Sequence, residues 1–222
     1  DPLDMIASGP AYPDASTAEQ ALAIVKKYAL HLSDEALSCL EAPTPNHLSN
    51  VETHITGSVR ALCAAAQDSA QKLGFQCRML TDCLDCEARE AGRFLASIAR
   101  SHQQTERPLA FFAGGETVVH LTGQGLGGRN QELALAAAPG LRGTQNTAVC
   151  SFGSDGTDGP TDAAGGFVDQ SSDAALRAAG LDVPQVLAEN DAYHALQKIG
   201  GLLMTGPTGT NVNDLAMVLI WR

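Results

Sequence analysis

The chain has 222 residues, with 14 Lys and Arg against 25 Asp and Glu for a net charge of −11, and it is 44% hydrophobic with only 5% aromatic residues. That length accommodates one well-buried α/β domain with an appended segment. The acidic balance, with no basic run to neutralise a phosphate backbone, excludes a nucleic-acid binder, and the lack of any apolar run near ~20 residues excludes a membrane-helix reading.

The chain opens in a polar turn, Asp1-Pro-Leu-Asp-Met-Ile-Ala-Ser-Gly-Pro10. This is an odd way to begin a domain, so an upstream portion is expected. Asp14-Ala-Ser-Thr17 is an N-cap cluster ahead of a helix over residues 18–28, and a short helix follows over 34–40. The Pro-rich stretch 41–50 reads as a linker. Beyond it, short β-rich runs alternate with long Ala-rich helical runs, the pattern of repeated βα units.

Strands are expected at 54–57 and 75–80, with helices over 59–73 and 87–101. The apolar run Leu109–Ala113 reads as a central strand covered on both faces. Thr117–Leu121 alternates and follows after only Gly114-Gly115-Glu116, so the two are expected to form an antiparallel hairpin. A helix over 130–138, a strand over 147–152, helices over 172–179, 183–188 and 191–199, and a last strand over 216–221 complete the series. The expected fold is therefore a three-layer α/β/α domain over residues 51–222 with a mixed, mostly parallel sheet. Residues 1–50 read as the helical tail of an upstream domain with its linker.

The six cysteines, Cys39, Cys63, Cys77, Cys83, Cys86 and Cys150, fall at irregular positions, several in apolar runs, as idle thiols in a reducing cytoplasm do. Cys83-x-x-Cys86 has no second pair and no neighbouring His, which leaves a zinc site unsupported.

Three loops carry chemistry. Gly123-Gln-Gly125-Leu-Gly127-Gly128 fits the dinucleotide pattern G-x-G-x-x-G, but no acidic residue ends a strand about 20 positions on. It also opens a helix at Arg129. A cation there opposes the helix dipole, so Arg129 calls for an anion, either a bound phosphate or carboxylate or an acidic side chain. Gly153-Ser-Asp155-Gly-Thr-Asp158-Gly159 follows a strand and offers two carboxylates to a Mg²⁺ ion, or Asx-turns within its own loop. Thr205-Gly-Pro-Thr208-Gly-Thr-Asn211-Val-Asn213-Asp214 gathers hydroxyls, amides and glycines in a loop that wraps an anion or caps a neighbouring element.

Together with Ile6-Ala-Ser-Gly-Pro10, Gly114-Gly-Glu-Thr117 and Ala188-Glu-Asn-Asp-Ala-Tyr193, these motifs in this order resemble the glycerate 2-kinase family, whose C-terminal section is the MOFRL domain, here residues 108–222. The sequence departs from that family at Val59, Cys86, Gly153 and Ser154, where Asn, Gly, Asp and Thr are usual. The resemblance implies transfer of the γ-phosphoryl of ATP to D-glycerate with Mg²⁺. The enzyme it implies has two domains, with a lysine of the N-terminal domain facing Arg129; such a domain is the expected partner, and homo-oligomerisation is left open.

On that basis Arg129 and Asp155 are assigned to catalysis, and Asp155 with Asp158 to Mg²⁺. Gly114, Gly115, Glu116, Thr117, Gly127, Gly128, Asn130, Thr208, Asn211, Asn213 and Asp214 are assigned to phosphates or the substrate carboxylate. The rivals are a nicotinamide-dependent hydroxypyruvate reductase, which the Gly123–Gly128 loop favours, and a ligand-binding module without turnover.

Overall fold

The structure, a computed structural model, describes residues 11–43 and 46–222. The Ile6–Pro10 motif and part of the Pro-rich stretch lie outside the described residues. The chain divides into two compact units, residues 1–56 and residues 57–222.

In the first unit, α1 (Ala18–Lys27) opens with a capping box. The Thr17 hydroxyl accepts from the Gln20 N–H at 3.3 Å, and the Gln20 side chain accepts from the Thr17 N–H at 2.9 Å. Two orphan donors are thereby satisfied. Helix α2 (Asp34–Glu41) is capped by Ser33. Neither helix has a buried residue, and Ile24 and Tyr28 are exposed.

The second unit is built on a six-stranded sheet of β1 (Gln76–Leu84), β2 (Leu109–Gly115), β3 (Thr147–Gly153), β4 (Gly165–Asp169), β5 (Leu202–Leu203) and β6 (Asp214–Ile220), in the order β1-β2-β6-β3-β4-β5. It is a mixed α/β sheet, as expected. The expected parallel majority is corrected: β1 and β2 are parallel, joined through α4 (Ala88–Ser101), and the other pairings are antiparallel. Strands β1, β2 and β3 do share one direction, as alternating strands and helices encode. The last strand, β6, then inserts between β2 and β3 against both.

That insertion also removes the expected hairpin. Both edges of β2 are taken, by β1 and β6, so Thr117–Leu121 has no strand to pair with. It runs instead beside the entry to α4, where the Val118 N–H donates to the Cys86 carbonyl and the Ala88 N–H to the Val118 carbonyl. Residues 54–57 carry no strand either. Strand β4 was not expected from the sequence, because it opens on Gly165 and Gly166. A side chain at Gly165 would run into the Ser151 carbonyl of β3.

Helix α5 (Arg129–Ala137), with a 3₁₀ turn Ala138–Leu141, lies directly on one face of the sheet, and α4, α6 (Ser172–Ala178), α7 (Val183–Ala188) and α8 (Ala192–Lys198) complete that side. Every residue of α5 from Asn130 to Ala137 is buried, as a helix shielded on all sides must be. On the opposite face α3 (Val59–Lys72) packs Val59, Cys63 and Ala70 against Ala110, Phe112 and Leu215. Full burial of leucines such as Leu95, Leu133 and Leu135 contributes about 1.5–3 kcal/mol each.

The low aromatic content has its counterpart in the α4–α5 contact. Helix α4 presents Ala88, Ala91, Gly92, Leu95, Ala96 and Ala99 inward, and the backbones approach so closely that a Cβ on Gly92 would overlap the Leu133 carbonyl. Gly92→Ala raises helix propensity by about 1 kcal/mol, yet overpacking of about 1–3 kcal/mol opposes it. The variant is expected to unfold at lower denaturant than the wild type; a higher midpoint would show that the helices have room to separate.

Candidate functional site

The first N–H groups of a helix find no partner within it, and in α5 they are closed off from water. Asp158 meets that need. One carboxylate oxygen accepts from the Asn130 N–H at 3.1 Å and the Asn130 side chain at 3.2 Å, and the other accepts from the Gln131 N–H at 2.9 Å. Burial is the largest influence on its titration and pushes the Asp158 carboxyl up to about 6, against the pull of those N–H groups.

The anion at the start of α5 is thus part of the chain. A Cβ on Gly128 would overlap the Asp158 carboxylate, and Asn130 is buried with its side chain bonded to Asp158 and Ser151. The Asn130 N–H, expected to meet a phosphate, is taken by Asp158, while Gly127 and Gly128 line the cleft beside Arg129. The expected metal pair is corrected. Asp158 turns both oxygens toward N–H donors, whereas Asp155 accepts from the Thr157 N–H and the Asn211 side chain. Among the described residues no group of three His, Cys, Asp or Glu side chains converges to hold a metal ion. The two carboxylates do not fit Mg²⁺ as a shared pair.

The dinucleotide-like glycines have a structural cause. Side chains at Gly123 and Gly125 would collide with the backbone of Glu189 and Asp191, so residues 123–127 lie flat against residues 189–192. Asn190, in the left-handed region at φ 55°, holds the two together. Its side-chain oxygen accepts from the N–H groups of Thr122 and Gly123, and its amide donates to the His120 carbonyl and to Glu132. Asp191 accepts from the Leu126 N–H. The Cβ faces of Gly123 and Gly125 are thus covered by protein, so these glycines need no pyrophosphate to account for them. Asn190 was not among the expected site residues; the signal available was its place in the polar run Glu189-Asn-Asp191 beside a loop of glycines.

Two further loops are joined in the same manner. The Thr208 N–H donates to the Asp155 carbonyl and its hydroxyl to the Ser154 carbonyl, while the Val212 N–H donates to the Ser154 hydroxyl and the Ser154 N–H to the Asn213 carbonyl. A Cβ on Gly156 would overlap the Gly206 carbonyl. Gly206 and Gly209, at φ 69° and 79°, have open space beside them.

Arg129 lies where these elements meet. The ends of β2 and β3 flank the start of β6, Gly115 and Gly153 both registering with Asp214. Asp214 takes the guanidinium through Nε and, at 3.0 Å, through Nη2. Nη1 is 3.2 Å from Glu116. The Asp214 side chain is 8% exposed and that of Glu116 54%. Removing Arg129 from Asp214 would strand a buried charge, at a cost of about 3–5 kcal/mol, whereas an exposed pair such as that with Glu116 is worth about 0–1 kcal/mol. The hydrogen bonds that Arg129 donates to Asp214 raise its pKa. The anion that Arg129 demands is thus met within the chain by Asp214 and Glu116. Gly114 is packed against Cys63 and Val59, Gly115 against Leu84, and Thr117 is buried.

Arg129 borders a cleft of about 620 Å³ walled by Val118, Val119, Leu121 and Pro160, with Glu132 at its base. Glu132 is buried and paired with Arg89 at 2.9 Å.

This combination, a mixed α/β sheet with motif loops gathered at the ends of β2 and β3, is one that known proteins share. Residues 109–214 match the MOFRL family, and residues 1–41 match a domain of unknown function, DUF4147. The chain is 54% identical to the D-glycerate 2-kinase of Thermotoga maritima over 99% of its own length and 54% of that protein's. The crystal structure of glycerate kinase from Thermotoga maritima superposes with a TM-score of 0.85, covering 99% of this chain and 54% of that one. The glycerate kinase of Macaca fascicularis is 32% identical, matched over 99% of this chain and 69% of that protein. The chain belongs to the glycerate kinase family. It spans about half the length of the Thermotoga relative. Among the described residues no helix is long and apolar enough to cross a membrane.

Asp158→Ala leaves the buried N–H groups of Asn130 and Gln131 without acceptors, and a loss of about 2–4 kcal/mol is expected, read from chemical unfolding. Asn190→Ala is expected to speed hydrogen exchange at Thr122 and Gly123 before it affects the sheet; unchanged exchange there would show that the glycine loop is held by packing alone.

Proposed function

We propose that this chain supplies about half of an ATP-dependent kinase that transfers the γ-phosphoryl group to a hydroxyl of D-glycerate, giving 2-phosphoglycerate. The observation that carries the reading is the 54% identity to a D-glycerate 2-kinase across 99% of the chain, which includes every loop at the ends of β2 and β3. Phosphoryl transfer asks a protein mainly for positioning and for charge placed against the transferring oxygens. Arg129 is the cation for that task, held rigid from behind by Asp214. Asp155, fixed by Thr157 and Asn211, orients the glycerate hydroxyl. Thr208, Asn211 and Asn213, in a loop with open space beside Gly206 and Gly209, face the anionic groups of the substrates. No step is assigned to a Mg²⁺ ion held by Asp155 and Asp158. The free thiols of all six cysteines support a cytoplasmic setting.

The test joins this chain to the part of the Thermotoga relative that it does not match. The joined protein is expected to release ADP only when D-glycerate is present, and the 222-residue chain alone to unfold cooperatively without turnover. In the joined protein Arg129→Lys keeps the charge but not the fork, and kcat is expected to fall about 10²-fold with a smaller change in KM for glycerate. A rise in KM at constant kcat would make Arg129 a ground-state carboxylate binder. NADH oxidation with hydroxypyruvate, and no ADP release, would overturn the kinase reading.

A further inference from the structure

The two carboxylates on Arg129 are not equivalent. Asp214 starts the central strand β6, is registered with both Gly115 and Gly153, and is buried with its oxygens on Nε and Nη2. Glu116 reaches Nη1 from the loop after β2 with a side chain more than half exposed. Its backbone is fixed separately, because the Glu116 N–H donates to the Leu84 carbonyl. The side chain can therefore leave the guanidinium without moving the loop. An arginine has five N–H donors in a rigid fork. With Asp214 on one edge, departure of Glu116 opens the terminal edge of the fork, Nη1 and Nη2 together, toward the cleft that Glu116 and Arg129 both line.

We propose that Glu116 is a displaceable counter-ion that gates Arg129, and that the ligand displacing it is a polyphosphate end rather than a lone carboxylate. While Glu116 is engaged, one positive charge faces two negative ones and the local sum is −1. An incoming monocarboxylate trades one singly charged group for another and gains little, whereas the end of a polyphosphate brings more negative charge onto the same edge of the guanidinium and gains the larger Coulomb attraction. Asp214 stays in place throughout and is the positioning residue, because its departure would leave a buried charge alone. This rests on the phosphotransferase reading of the site but assigns a role that reading does not contain: the acidic residue beside the arginine selects against weakly charged anions.

The experiment titrates inorganic tripolyphosphate, and separately acetate, into the 222-residue chain by calorimetry at low salt, without metal. Glu116→Gln is expected to bind tripolyphosphate roughly 3- to 10-fold more tightly than wild type and also to gain measurable acetate binding, so that its discrimination falls. Equal or weaker tripolyphosphate binding by Glu116→Gln, or no binding by either protein, overturns the proposal. Asp214→Asn is expected to lose at least tenfold in tripolyphosphate affinity; wild-type affinity in this variant would overturn the positioning role, and its unfolding transition is recorded alongside so that loss of fold is seen as such. A joined protein that phosphorylates glycerate while Glu116→Gln leaves anion binding unchanged would sink the gate and spare the kinase. Tighter polyphosphate binding without glycerate phosphorylation would do the reverse.

Discussion

The structure turns on one buried helix end. Helix α5 is enclosed on all sides, so its free N–H groups must be satisfied by something that is itself buried. Asp158 does this, and in doing so fixes the loop after β3 over the start of α5. Gln131 reaches back to the Asp158 carbonyl and to Thr161, so the connection is made from both sides. Arg129 stands one residue before this closed network and one residue after the glycines, where its head is left to the cleft.

The family motifs separate into pairs once the chain is folded. The glycine loop before α5 is the counterpart of Ala188–Tyr193, joined through Asn190 and Asp191. The Gly153–Gly159 loop is the counterpart of Thr205–Asp214, joined through Ser154 and Thr208. In each pair the glycines permit close approach and the Asn, Asp, Ser or Thr of the other member supplies the bonds. Much of what looks like ligand chemistry in a linear reading is one loop recognising another.

The helices over 59–72, 88–101 and 129–137 and the strands at 109–115 and 147–153 were legible because their signals are local: apolar periodicity, Gly stops and flanking turns. What was not legible depends on distant partners. Nothing in Asp214–Ile220 states that it will enter between β2 and β3, and nothing in Gly165-Gly166 announces a strand, since Gly165 is there to let β3 come near and Gly166 to make room for Leu196. In the site, the dipole argument at Arg129 correctly required an anion, but the sequence could not say that Asp214, 85 positions on, provides it. Asp158 was misread for a related reason. A carboxylate in a turn after a strand looks free for a metal until the buried helix end beside it is known.

The place of β6 bears on how the protein is made. The strand between β2 and β3 follows the other five strands of the sheet in the sequence, so β2 and β3 leave the ribosome before the strand that pairs with both of them. Until residues 214–220 emerge, two apolar edges are open to pairing with another nascent chain. Asp214 arrives with that strand, so the sheet closes and Arg129 gains its counter-ion in a single late event. A chaperone that held the nascent chain through this interval would protect the sheet and the site at once.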